Sequence, residues 1–329
     1  SRAEGFAFCP RCGRALTQPE SKKSGPWRPF IALAAAIVTA LLVIEVVALI
    51  VGAPSVWSWA ADSVQDILVL KPELHVAGYL GGLPLQMFWV VQVAVLLASA
   101  FILFRQSAGA LKQRDIVEAV SKTPMYHMAM LLCAALLLNV LVILPEIGSL
   151  EVADTPSGFV PEALYAYANA AVWEEVIARI AFIGVPMAVL AACHLRRDFP
   201  LYLLGGFGMS RLALVLIFVS AMVFGFAHMP GWGLWKVLPT FISGFAMGYL
   251  YVRFGIHASI MFHFAVDYMG VLVVGPAAIV VSPIMFAVIV LGIPSIIEIA
   301  RKVWAHRSEL REMPAVMPPD QESIFFRRD

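Results

Sequence analysis

The sequence is short of charge. Asp, Glu, Lys and Arg make up 14% of its 329 residues, against about a quarter in a soluble domain. With 61% hydrophobic residues and a mean hydropathy of +0.85, this excludes a disordered chain, a nucleic-acid binder and an ordinary cytosolic enzyme. A polytopic membrane protein remains. An excess of either sign is also lacking: the formal net charge is +1, so no global field points to a polyanionic partner. Cysteine is scarce too. Cys9, Cys12, Cys133 and Cys193 are too few and too scattered for a disulfide framework. Cys133 and Cys193 lie in apolar runs and read as small core residues. No internal repeat is visible.

What is abundant is long apolar runs. A membrane span needs about 20 apolar residues at a rise of about 1.5 Å. Eight runs qualify, near Phe30–Val51, Leu83–Phe104, Met125–Leu144, Ala163–Leu195, Met209–His228, Leu234–Val252, Gly255–Val274 and Pro276–Glu298. The fold expected is an all-α bundle of about eight transmembrane helices behind a short, zinc-ribbon-like N-terminal segment. Its parts are residues 1–29, the N-terminal spans and loops 30–160, a core 161–275, and a last span with its tail, 276–329. The fourth run is long, and Gly184 and Pro186 predict a kink in it. Leu201–Gly208 is apolar but too short to span, and reads as interfacial or re-entrant. The first loop, opened by Trp57 and Trp59 at an aromatic belt, reads as a short amphipathic surface segment around Asp62, Asp66, Leu68 and Leu70. Gly244-x-x-x-Gly248 permits close helix approach.

The basic residues orient the bundle. All but three of the 23 lysines and arginines fall in the N-terminal arm, at one set of span ends, or in the tail; the exceptions are Lys71, Lys236 and Arg179. The sparse side carries Asp62, Asp66, Glu73, Glu146, Glu151, Asp154 and Glu162. By the positive-inside rule both termini are cytoplasmic.

An ionisable side chain within a span costs several kcal/mol unless it is paired or faces a cavity. Three spans carry six: Glu174, Glu175 and Arg179, then His228, then His263 and Asp267. Glu175 and Arg179 are i,i+4 neighbours with the Glu on the N-terminal side, which favours pairing. Glu174 points about 100° away from Glu175 on an α-helix and is left without a local partner, free to act as a general base. His263 and Asp267 are again i,i+4, so the carboxylate can accept the imidazole N–H and set its tautomer. His228 must find its partner on another helix. Purely structural contacts are the competing reading, as they are for Glu45, His127 and Asn139, which read as interhelical contacts. A transporter or proton relay is another, though it lacks repeat symmetry to support it. Glu174, His228, His263 and Asp267 are also a plausible Zn²⁺ or Mn²⁺ ligand set, although no His-Glu-x-x-His is present.

Glu174-Glu175-x-x-x-Arg179, Phe224-x-x-x-His228 and His263-x-x-x-Asp267, in this order and each in a span, resemble the motifs of the CPBP family, which includes the type II CAAX prenyl proteases, or glutamic intramembrane endopeptidases. Ser243–Arg253 is similar to the family's helix before the third motif, and the resemblance covers about Pro161 to Gly270. The stretch between the first two motifs is longer than in many members, and Asp267 stands where many have Asn. The resemblance implies an intramembrane endopeptidase of a prokaryotic cell membrane that needs no cofactor. Glu174 would activate a water with help from His228. His263 and Asp267 would orient and stabilise the oxyanion, Glu175 and Arg179 would hold the helix, and Phe224 would pack. A non-catalytic partner or immunity-type protein is the alternative. Glu174 lies about 11 residues, roughly 16 Å, from the outer start of its span, so the site is expected toward the extracytoplasmic half. The substrate implied is a membrane-anchored protein or peptide tail, as in the myxosortase-like branch.

Phe8-Cys9-Pro10-Arg11-Cys12-Gly13 resembles one knuckle of a zinc ribbon. With no further Cys or His before the first span, it reads either as a zinc site shared with a second chain, giving a homodimer or complex, or as a degenerate ribbon.

Overall fold

A computed structural model of the protein describes residues 25–71, 73–146, 158–193, 199–274 and 276–305. Cys9 and Cys12, and with them the zinc and dimer expectations, lie outside the described residues. The helices are α1 (Arg28–Ala61), α2 (Leu83–Ala108), α3 (Pro124–Ile143), α4 (Pro161–Cys193), α5 (Arg211–Ala227), α6 (Val237–Phe254), α7 (Ile256–Leu272), α8 (Ala278–Val290) and α9 (Gly292–Ala305). Seven segments are long and apolar enough to cross a membrane, α8 and α9 counting as one. The chain is a polytopic all-α bundle.

The eighth expected span is α7. Its 17 residues, about 25 Å long, are buried on nearly every side, which is why it can be short: it is the axis around which the others pack, not a lipid-facing wall. Met261, Phe262, Phe264 and Tyr268 on it are completely buried. Gly255 alone joins α6 to α7 with φ +113°, a backbone that side chains disfavour, and its N–H closes on Tyr251 O at 3.0 Å.

The expected close approach at Gly244 and Gly248 is present. A Cβ on Gly248 would lie 2.9 Å from Ile217 Cγ2, and one on Gly244 3.1 Å from Phe224 Cδ1. The stripe seats α6 directly on α5, holding Phe224 and the helix end at His228 against the bundle axis.

Both α3 and α5 begin at side-chain caps. Thr123 Oγ1 accepts from Tyr126 N–H and Ser210 Oγ from Ala213 N–H. Arg28 pairs with Glu118, Lys122 lies 3.3 Å from the same carboxylate, and Lys302 stacks over Tyr126. The start of α1, the start of α3 and the end of α9 therefore gather at one end of the bundle, and that end is basic.

One expectation is corrected, and two other segments gain detail. The first loop is not an amphipathic surface segment but an antiparallel hairpin, Val64–Lys71 with Glu73–Gly81, pairing Val64 with Gly81 and Lys71 with Glu73 around a bulge at Ile67/Leu68. Its Val64, Ile67 and Val69 are β-branched, a composition that favours a strand. Leu201–Gly208, too short to span as expected, is not a single helix. It forms a 3₁₀ turn, Phe199–Leu204, and a glycine loop whose Gly206 and Gly208 N–H groups bond Tyr251 O and Val252 O. Both are last-turn carbonyls of α6; Tyr251 O also accepts from Gly255 N–H, so Gly206 gives it a second donor. Gly205 has to be glycine here, because a Cβ would come within 2.3 Å of Tyr251 O. Lastly, the disturbance expected at Gly184 and Pro186 is accompanied by widened turns in α4. The helix is π-helical over Ala170–Glu174 and Val176–Gly184 and returns to α at Val185–Cys193, so the missing proline N–H falls at the changeover.

Candidate active site

The π-helical stretch of α4 carries Glu174, Glu175 and Arg179. Such wide turns often occur at functional sites, since they re-aim side chains relative to an α-helix. Glu175 is completely buried and fully supplied with donors. Arg179 gives it Nε at 3.0 Å and Nη2 at 3.4 Å, Ser259 gives its hydroxyl, and His263 Nδ1 lies 3.2 Å from Oε1. Arg179 is also completely buried. Its Nη1 donates to Ser220 Oγ at 2.7 Å, and its guanidinium lies 5.1 Å over the Phe224 ring. A buried ion pair with every donor and acceptor occupied is the arrangement in which two charges tolerate an apolar interior.

Glu174 is treated in the opposite way. Its Oε2 is buried and has no hydrogen-bond partner among the described residues. The two nitrogens nearest to it are His228 Nε2 and His263 Nε2, each at 3.8 Å. These are too far for direct hydrogen bonds. A water held by Oε2 would be within reach of both imidazoles.

His228 is the C-cap of α5. Its Nδ1 lies 2.8 Å from Phe224 O, and a carbonyl can only accept, so Nδ1 carries the proton and Nε2 is left facing Glu174. His263, on α7, stands among three carboxyl groups: Glu175 at Nδ1, and Asp267 Oδ2 at 3.3 Å and Glu174 at Nε2. Asp267 therefore stands beside His263 as its i,i+4 spacing predicts, and Glu175 is an additional partner from another helix. Glu175 takes the Nδ1 side, and Asp267 meets the nitrogen that faces the site. Phe224 is wedged edge-on between the imidazoles, 4.8 Å from His228 and 5.8 Å from His263.

The structure thus brings together all seven residues singled out around the motifs. It adds Ser220 and Ser259, which hold the Arg179–Glu175 pair from α5 and α7. A lone serine in a span carries no sequence signal, because its hydroxyl can turn back on its own helix. It also adds Lys236 at the start of α6, over the faces of Trp232 (4.3 Å) and Trp235 (5.6 Å) just beyond His228. Among the described residues no group of three or more His, Cys, Asp or Glu side chains is placed to hold a metal ion. Asn139 and His127 behave as the interhelical contacts expected, meeting Ser243 at 3.3 Å and Tyr249 at 3.4 Å. Glu45 does not: its carboxyl is buried with neither oxygen hydrogen-bonded.

Residues 156–269 match the family model described as type II CAAX prenyl endopeptidase Rce1-like. This segment is similar to the CAAX prenyl protease-like (CPBP) family. No curated protein and no solved structure matches the chain. The matched segment spans roughly a third of the sequence and includes α4 to most of α7, so all seven motif residues fall inside it, whereas α1, α2 and α3 fall outside. With this segment set among seven apolar spans, the chain is a multi-pass membrane protein, part of which is similar to a protease family.

Proposed function

We propose that the chain is a glutamic intramembrane endopeptidase in which Glu174 is the general base. The observation that carries this reading is the single buried, unpartnered Glu174 oxygen standing 3.8 Å from Nε2 of each of two imidazoles that arrive on different helices. Glu174 takes a proton from a water, and the hydroxide oxygen attacks the peptide carbonyl carbon. His228 Nε2 holds that water on the line of attack. His263 Nε2, backed by Asp267, faces the developing oxyanion and stabilises it. On collapse the C–N bond breaks, and the proton on Glu174 passes to the leaving amine. Glu175 and Arg179 hold the π-helical turn and the His263 ring, and no side chain is assigned to a metal.

The substrate we infer is a membrane-anchored protein or peptide tail reached from the extracytoplasmic side or laterally from the bilayer. The basic end of the bundle would face the cytoplasm, with both termini, and His228 closes α5 at the other end. Gly231, beside the site, is exposed and has open space around its Cα, so a cysteine there is accommodated. In a background with the four native cysteines replaced by alanine, Gly231→Cys is expected to react with a membrane-impermeant maleimide from outside the cell. Labelling only from the cytoplasm would reverse the orientation.

The direct test is incubation of the purified protein with candidate membrane-anchored tails beside a Glu174→Ala control, with cleavage read by mass spectrometry. Cleavage is expected to persist through strong chelation. Loss on chelation with recovery on adding Zn²⁺ would replace this reading by a metal-dependent one.

A further inference from the structure

Glu174 stands at one end of a face of α4 that the bundle leaves uncovered. Its side chain is 33% exposed although Oε2 is buried. Trp173 beside it and Ile177 below it are half-buried, Ala181 is exposed, and Val185 and Val189 are 44% and 55% exposed. From Ile177 to Val189 these residues recur at every fourth position, so they form one stripe along the helix. The stripe is apolar. Arg179, the charge in this stretch, is completely buried and is turned inward to Glu175 and Ser220.

The packing of α4 shows where the stripe begins. Above Glu174 the helix meets α2: Trp173 is edge-on to Phe88 at 6.0 Å, and Gln92 Nε2 donates to Asn169 Oδ1. Below Glu174 it leans on other elements. Ser220 of α5 donates to Ala178 O at 2.7 Å, and Gly184 lies against Tyr202 and Leu203 of the 3₁₀ turn. The open face is therefore continuous with the site, and it runs from there toward the basic end. Ala181 makes a notch in the middle of it. Lipid tails have no need of a notch, whereas a small residue lets a second helix approach closely.

We propose that this stripe is the docking face for the transmembrane helix of the substrate, which enters from the bilayer and packs along residues 177–189 with its extracytoplasmic end at Glu174. This deepens the endopeptidase reading and rests on it. The contact is up to about 18 Å long, more than half of a hydrocarbon core of about 30 Å. A peptide has to be extended to be cut, and an extended backbone within lipid leaves its N–H and C=O groups unpaired. In this docking only the end of the substrate helix unwinds, at Glu174. The scissile bond is thereby assigned to the extracytoplasmic end of the anchor, and the rest of the anchor lies on its cytoplasmic side.

The test begins with oxidative cross-linking in proteoliposomes, in Glu174→Ala protein with the native cysteines replaced by alanine. The probe is a synthetic Leu/Ala helix of about 20 residues with a polar N-terminal extension and one cysteine at successive positions. Cross-links from Ala181→Cys are expected to recur every three to four positions of the probe and to exceed those from Ile279→Cys, on the exposed face of α8, by about tenfold. Equal, unpatterned yields from both positions would mean that lipid covers the stripe, and would overturn the proposal. A kinetic arm uses Ala181→Trp, or Val185→Trp where the first does not fold. It is expected to raise KM for a membrane-anchored tail about tenfold at unchanged kcat, and to spare a short peptide with the same scissile sequence and no anchor. An unmoved KM, or an equal loss on both peptides, overturns the proposal. A wild-type protein that cleaves no tail, with the cross-link pattern present, counts against the endopeptidase reading and not against the docking face.

Discussion

Glu174→Ala is expected to lower peptide cleavage by about 10²–10⁴-fold, the range in which a positioned general base contributes, without unfolding the protein. The two halves of this result have one cause. Glu174 Oε2 is buried and unpartnered, so the carboxylate contributes no hydrogen bond to the fold through that atom. Removing it deletes a desolvated polar atom rather than a contact, and the midpoint of thermal unfolding in detergent should stay level or rise. His228→Ala should cost comparable activity, because the ring that Phe224 O holds by Nδ1 is what directs Nε2 at the same oxygen. Its effect on stability should be modest, since the ring lies at a helix end and is partly open. Cleavage at the wild-type rate by purified Glu174→Ala protein would remove the mechanism.

Arg179→Met is expected to do the reverse and destabilise the fold by about 3–5 kcal/mol, the cost of leaving a buried charge without its partner. The orphan is Glu175, completely buried and bound by both Nε and Nη2 of Arg179. The guanidinium also serves Ser220 and the Phe224 ring, a planar fork that lysine cannot reproduce, so Arg179→Lys should recover little. Adding Glu175→Gln to Arg179→Met should restore much of the stability, giving a large coupling in a double-mutant cycle. It should not restore cleavage, because Glu175 also holds His263 Nδ1 at 3.2 Å. Denaturation in detergent would measure the first effect and peptide turnover the second. An Arg179→Met protein as stable as wild type would mean that Glu175 finds another counter-charge.

These two neighbours show where reading along the chain succeeds. Glu175 and Arg179 pair in the structure as their spacing foretells, and Glu174 stays unpaired, because both facts follow from local helix geometry and a charge count. The same local logic found only one of the partners of His263. Its i,i+4 partner Asp267 does lie close, but Nδ1 goes to Glu175 on another helix, and that choice depends on how α4 and α7 cross. The π-helical turns of α4 were equally hidden. Gly184 and Pro186 signal a disturbance, yet whether it becomes a bend or a widened turn depends on what packs there. In this protein Tyr251 OH and Leu203 lie so close to Gly184 that a Cβ would fall 2.3 Å from the hydroxyl.

The composition and the long apolar runs alone determined that this is a membrane bundle, which of its ends is basic, and that six ionisable side chains within it needed an explanation. Burial in lipid makes those statements local, since each span must satisfy its own backbone and each charge carries its cost wherever it lies. Only the tertiary structure decided which carboxyl is saturated with donors and which is left bare, and that Ser220 and Ser259 complete the first. Those are relations between helices far apart in sequence, set by packing, and no spacing along one helix encodes them.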